Sequence, residues 1–227
     1  MIKPQIFLLH YAGGNQYSYQ FLFPYLTPDF EIVTLELPGR GKRIHESLIL
    51  DFNSAVDDIY KFISPKFTSG TDMIMGHSLG ALLGFFVTEK LEANQIFPRS
   101  LIVSGNSGPS DNISEKRYDL PSIEFKSMLQ NLGGMPDGFF EEDDLFEFYE
   151  PILRADFKLS ETIKNETGYR IRTPVTAIMG SEEPTVNKIN NWRNYTKGPF
   201  NAHVLKGGHF FIHQNAYALG EIIRSLR

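Results

Sequence analysis

Gly76-His77-Ser78-Leu79-Gly80 fits the pattern G-x-S-x-G, with the apolar, strand-like Met73, Ile74 and Met75 before it and apolar residues at helical spacing after it. A sharp strand-to-helix turn of this kind forces its central residue into strained backbone angles and lifts the side chain clear of the sheet. Glycines flank it because a Cβ there would collide with neighbouring chain. Ser78 is therefore read as a nucleophile. It also opens a helix, where the Leu79 backbone N–H and the helix dipole can stabilise a developing oxyanion. A serine hydroxyl is weakly nucleophilic at neutral pH and needs an adjacent base. Of the six histidines, His209 has the context for that role: Gly207-Gly208-His209-Phe210-Phe211 comes directly after the last apolar run, and the glycines let the loop carry the imidazole over the sheet edge. His77 is expected to turn into the fold, and His45, His203 and His213 to be structural. His10, beside a glycine-rich loop, is left open.

A third member, an acid, is expected between serine and histidine in the chain, after a late strand. Gly180-Ser181-Glu182-Glu183-Pro184 stands there, and Glu183, just before the proline, is the preferred candidate to hold the His209 tautomer. Glu182 and Asp111 are the alternatives. A second oxyanion donor is expected from the loop after the first strand, His10-Tyr11-Ala12-Gly13-Gly14-Asn15, where paired glycines let a backbone N–H point inward. Ala12 is chosen for it, with Leu79 as its partner.

These residues need a scaffold that delivers them to one edge. Short β-rich runs recur at residues 6–9, 32–35, 73–75, 101–103, 175–179 and 202–205. Between them, Leu79, Leu82, Leu83, Phe86, Val87 and Leu91 keep the spacing of a buried helical face, and Phe52, Val56, Ile59, Tyr60 and Ile63 do much the same. Strand alternating with helix predicts an α/β fold, a mostly parallel sheet covered on both faces, with its site at the carboxyl ends of the strands. One stretch breaks the alternation. From about Asp111 to Asn165 there are many large apolar residues at helical spacing, among them Phe125, Met128, Leu129, Leu132, Phe146, Tyr149, Ile152 and Leu153, with Gly133, Gly134 and Gly138 as hinges. It reads as a helical insertion acting as a lid over an apolar acyl pocket; the plainer alternative is a helical subdomain that only packs on the core.

At 227 residues, one domain spanning 1–227 with its insertion is expected. A formal charge of -5 provides no basic stripe for a phosphate backbone, which argues against nucleic acid as a partner. The absence of cysteine removes disulfides, a thiol nucleophile and thiolate metal ligands, and fits a reducing cytoplasm. Neither a signal segment nor a stretch of membrane-spanning length is apparent, and no heptad or interface stripe suggests more than a monomer.

With these pieces assembled, the chain resembles, from end to end, the type II thioesterases of the α/β-hydrolase superfamily, the free-standing editing enzymes of nonribosomal peptide and polyketide synthases. The resemblance rests on Leu9-His10-Tyr11-Ala12-Gly13-Gly14, Leu37-Pro38-Gly39-Arg40-Gly41, the Ser78 pentapeptide, Leu153-Arg154-Ala155-Asp156-Phe157 and Gly207-Gly208-His209-Phe210-Phe211. The Pro-Gly-Arg-Gly and Arg-Ala-Asp runs are the most specific, since serine hydrolysis in general requires neither. The family usually reads Gly-x-x-Asp-Pro at the acid, so Glu183 is a departure. The resemblance implies removal of misprimed or stalled acyl groups from the phosphopantetheine arm of acyl or peptidyl carrier domains, through an acyl-serine, with no metal or diffusible cofactor. It implies structural roles for Arg40 and Arg154. Two other readings stand beside it: a carboxylesterase or acyltransferase with the same triad, and a non-catalytic carrier-binding protein.

Overall fold

A computed structural model describes residues 3–110, 116–136, 138–163 and 168–227, so both ends of the expected insertion, Asp111 and Asn165, lie outside the described residues. The apolar runs become strands β1 (Gln5–Leu9), β2 (Glu31–Thr34), β3 (Met73–His77), β4 (Ser100–Ser104), β5 (Val175–Gly180) and β6 (Phe200–Leu205). Among the described residues these form one sheet in the order β2-β1-β3-β4-β5-β6, with every neighbouring pair parallel. Parallel neighbours need crossovers, and the intervening helices supply them.

Because side chains alternate across a strand, the sheet feeds two cores. Phe7, Leu9, Ile74, Leu101 and Val103 pack with helices α2 (Phe52–Ile63) and α3 (Leu79–Ala93) on one face. Ile6, Leu8, Met73, Met75 and Ile102 pack on the other, with α1 (Phe23–Leu26), α6 (Phe211–Gln214) and α7 (Ala216–Ser225). The Asp51 side chain caps α2 by accepting from the Ser54 N–H at 2.8 Å. Helix α3 is buried on nearly all sides, because the sheet, α2 and the insertion surround it. Truncating one of its fully buried leucines, such as Leu83, would cost about 2–5 kcal/mol. Strand β6 is one of the sheet's two edge strands, and its Asn201, Ala202, His203 and Val204 are exposed, which its apolar character did not announce.

The break in alternation falls between β4 and β5 and holds α4 (Ser122–Leu132) and α5 (Asp143–Glu161). These helices close on a small core of their own, Phe125, Leu129, Phe139, Phe146, Leu153 and Phe157. Arg154 staples it: its guanidinium donates to Glu150 and to the Tyr118 carbonyl and lies 4.4 Å from the centre of the Phe125 ring. Gly133, Gly134 and Gly138 all sit at positive φ between the two helices, the conformation glycine adopts without strain. Among the described residues no helix is long and apolar enough to cross a membrane.

Candidate active site

Ser78 occupies the turn between β3 and α3 with φ 55° and ψ −114°, a region that non-glycine residues avoid. The turn is tight enough to exclude side chains on both sides. A Cβ on Gly76 would lie 2.0 Å from the Gly80 carbonyl oxygen, and one on Gly80 would lie 2.2 Å from that of Leu9. The Ser78 N–H donates to the Ser104 carbonyl at 2.8 Å, which ties the turn to β4.

The loops after β5 and β6 meet backbone to backbone. The Ser181 N–H donates to the Leu205 carbonyl and the Glu182 N–H to that of Gly207; Gly180 leaves no room for a Cβ against Gly207 and Gly208. This contact brings Glu183 to His209. The His209 Nδ1–H donates to Glu183 Oε2 at 2.9 Å, and Glu183 Oε1 accepts from the Gly180 N–H at 2.8 Å. The carboxylate is buried, so the bond is shielded from water. It leaves Nε2 as the ring nitrogen available to Ser78. Glu182, the alternative acid, is exposed, while Asp111 lies outside the described residues.

Ser78, Leu79, Ala12, Glu183 and His209 line a single cavity of about 290 Å³. Its walls are largely apolar: Leu82 from α3, Leu129 and Leu132 from α4, and Leu153 and Phe157 from α5. The insertion thus forms part of the cavity rather than packing only on the core. Residues 105–109, after β4, also line it; their place at the carboxyl end of a central strand was the signal that sequence reading passed over.

The Ala12 N–H belongs to a peptide plane held from behind. The Tyr11 carbonyl accepts from the Gly14 N–H at 2.9 Å and from His10 Nδ1–H at 2.8 Å. In a trans peptide the carbonyl and the following N–H point in opposite directions, so anchoring the one aims the other. His10 Nε2 in turn accepts from the Leu37 N–H at 3.3 Å, which requires neutral imidazole. Burial, then the nearby Arg40, lowers the His10 pKa to about 4. The histidine left open by the sequence is therefore a support for the loop. His77 is fully buried, as expected, with Nδ1 bonded to Ser104 Oγ at 2.8 Å and its ring 4.9 Å from that of His209. Burial first, then the neighbouring His209 and His213, holds it well below the ordinary histidine range. His45 and His203 are exposed away from the cavity, and His213 stacks on Phe210.

Sequence reading missed one constellation. Arg40, in the loop after β2, and Asp156, on α5, form a buried bidentate ion pair with N–O distances of 2.5 and 2.8 Å. The same carboxylate accepts from the Gly13 N–H at 2.8 Å, and Arg40 also donates to the Gly14 carbonyl at 3.3 Å. Both residues stand in motifs singled out above, but nothing in a single sequence pairs them.

A parallel sheet with a serine elbow after β3, an acid after β5 and a histidine after β6 is the architecture of an α/β hydrolase. The model of a family described as thioesterase domain matches residues 4–227, and the chain belongs to that thioesterase family. The probable cadicidin biosynthesis thioesterase of Streptomyces griseus is 31% identical over 219 residues, covering 95% of this chain but only 60% of that protein. A Brevibacillus parabrevis protein named linear gramicidin dehydrogenase LgrE is 32% identical over 228 residues, covering 97% of this chain and 86% of that one. Among solved structures, the type II thioesterase BorB from the borrelidin biosynthetic cluster superposes with a TM-score of 0.91 at 27% identity, covering 99% of this chain and 93% of that one.

Proposed function

We propose that this protein hydrolyses acyl groups from the phosphopantetheine arm of acyl or peptidyl carrier domains, as an editing thioesterase of a nonribosomal peptide or polyketide synthase. The observation that supports it most is the Glu183–His209 bond, at 2.9 Å, facing the same apolar cavity as the strained Ser78. In this reading Ser78 Oγ attacks the thioester carbonyl while His209 Nε2 takes its proton, and the N–H groups of Ala12 and Leu79 receive the oxyanion. Collapse breaks the C–S bond, His209 returns the proton to the departing sulfur, and the acyl group rests on Ser78. Water, deprotonated by His209, then releases the acid and restores the serine. The acyl chain lies against Leu82, Leu129, Leu153 and Phe157, under the insertion acting as a lid. No metal or diffusible cofactor enters these steps, since pantetheine arrives with the substrate. The protein works in the cytoplasm, a reading supported by its lack of cysteine, and as a monomer, a reading supported by a sequence without a heptad or interface stripe.

The test compares hydrolysis of acyl-phosphopantetheinyl carrier proteins with that of matched p-nitrophenyl esters. Wild type is expected to favour the carrier thioesters, and Ser78→Ala to lose roughly 1,000-fold or more in kcat, with no labelling by a fluorophosphonate. Turnover confined to the free esters would leave a general esterase. Normal turnover by Ser78→Ala would overturn the mechanism.

A further inference from the structure

Serine hydrolysis does not require the Pro-Gly-Arg-Gly and Arg-Ala-Asp runs, and neither lies in the triad, yet the structure joins them. Arg40 and Asp156, 116 residues apart in the chain, pair with both side chains buried. Their other contacts all go to one place. Asp156 Oδ2 takes the Gly13 N–H, the amide directly after the Ala12 residue, and Arg40 takes the Gly14 carbonyl. Leu37, from the same loop as Arg40, supports His10, which supports the Tyr11 carbonyl. Two successive peptides of the glycine loop are thus anchored, one on each side of Ala12. The α5 side chain Leu153 presses on the loop as well: a Cβ on Gly13 would lie 2.5 Å from its Cδ2.

A pair this dry is a weak device for stability alone. The desolvation of two charges offsets their attraction, and apolar residues of similar volume often serve as well. What the pair supplies is direction, through a fork of fixed geometry on a carboxylate that also holds a backbone N–H. We propose that Arg40 and Asp156 are positioning residues, a latch that aims the Ala12 N–H and makes assembly of the oxyanion hole depend on helix α5 being seated. This rests on the proposed oxyanion role of Ala12. The insertion then does two jobs with one helix: Leu153 and Phe157 wall the acyl cavity, and Asp156, between them in sequence, completes the electrostatic site.

The experiment uses the full chain with an acyl-carrier substrate and compares wild type, Ser78→Ala, Asp156→Asn and the double variant Arg40→Met/Asp156→Leu, which removes both charges at near-constant volume. The double variant is expected to unfold cooperatively near the wild-type midpoint, with kcat down about 10- to 100-fold, KM within about threefold, and fluorophosphonate labelling slowed in step with kcat. A purely structural pair would shift the midpoint and leave kcat of the folded protein alone, and that result would overturn the latch. Should the double variant fail to fold, Asp156→Asn decides: a loss in kcat of about threefold or more at unchanged KM supports the latch, and an unchanged kcat overturns it. Full turnover by Ser78→Ala would instead overturn the reading of the site on which the latch rests.

Discussion

At the scale of single residues, the acid proposed for the triad is a glutamate held by its own turn. Glu183 divides its oxygens, one to the Gly180 N–H at 2.8 Å and one to His209 at 2.9 Å, so the backbone of its own turn sets the orientation of the carboxylate. Glu183→Gln keeps the shape and a carbonyl for Gly180 but removes the charge that opposes the imidazolium and admits the wrong histidine tautomer. A loss of roughly 100- to 10,000-fold in kcat is expected, at little-changed KM, in carrier-thioester hydrolysis. Glu183→Asp retains the charge on an arm one methylene shorter and cannot reach both partners; a milder loss, about tenfold, is expected in the same assay. Unchanged rates in Glu183→Gln would remove Glu183 from the triad.

At the scale of elements, the glycines between α4 and α5 make unequal predictions. Gly133 and Gly138 have open space where a Cβ would stand, so alanine there is strained only by φ of 77° and 79°. Gly134 has both a φ of 87° and the Phe210 ring 2.2 Å from its Cβ position, and Phe210 follows His209. Gly133→Ala should cost about 1–3 kcal/mol in urea unfolding, from its backbone angles of φ 77° and ψ −169° alone, with kcat unchanged, whereas Gly134→Ala should cost about 2–4 kcal/mol and also lower kcat by displacing the ring beside the histidine. Equal effects at both positions would argue that the insertion does not bear on His209. The four inner strands were legible to within two residues at each end, because a strand buried on both faces is one unbroken apolar run. The elbow was legible for a related reason: its constraint lies within five consecutive residues. The Arg40–Asp156 pair was not, although both motifs stood out, because one sequence reports neighbours along the chain and not those across 116 residues. Nor was the exposure of β6, which depends on its being last in the sheet order.

At the scale of the whole molecule, the site depends on histidines that the fold keeps neutral. His10 is buried with a pKa lowered to about 4 by desolvation and by Arg40, against the opposing charges of Asp156 and Glu36; His77 is lowered as well. In the unfolded chain both titrate near the ordinary histidine value. Between pH 6.5 and 4 the unfolded state therefore binds more protons than the native state, and stability must fall as pH falls through that window. For His10 alone the loss amounts to about 2 kcal/mol on going from pH 7 to pH 5, and it levels off once the pH drops below about 4 and both states are protonated. Protonation also has a local effect, because an imidazolium cannot accept the Leu37 N–H, and the support behind the Tyr11 carbonyl is lost with it. His10→Gln should be less stable than wild type at pH 7, since its amide cannot reproduce both ring bonds. Its urea midpoint should nevertheless decline less steeply between pH 7 and 5, with the remaining slope carried by groups such as His77. The measurement is a set of urea unfolding curves at half-unit intervals across that range for both proteins. Parallel slopes would mean that His10 is not held neutral by the fold, and that the loop carrying Ala12 stands without it.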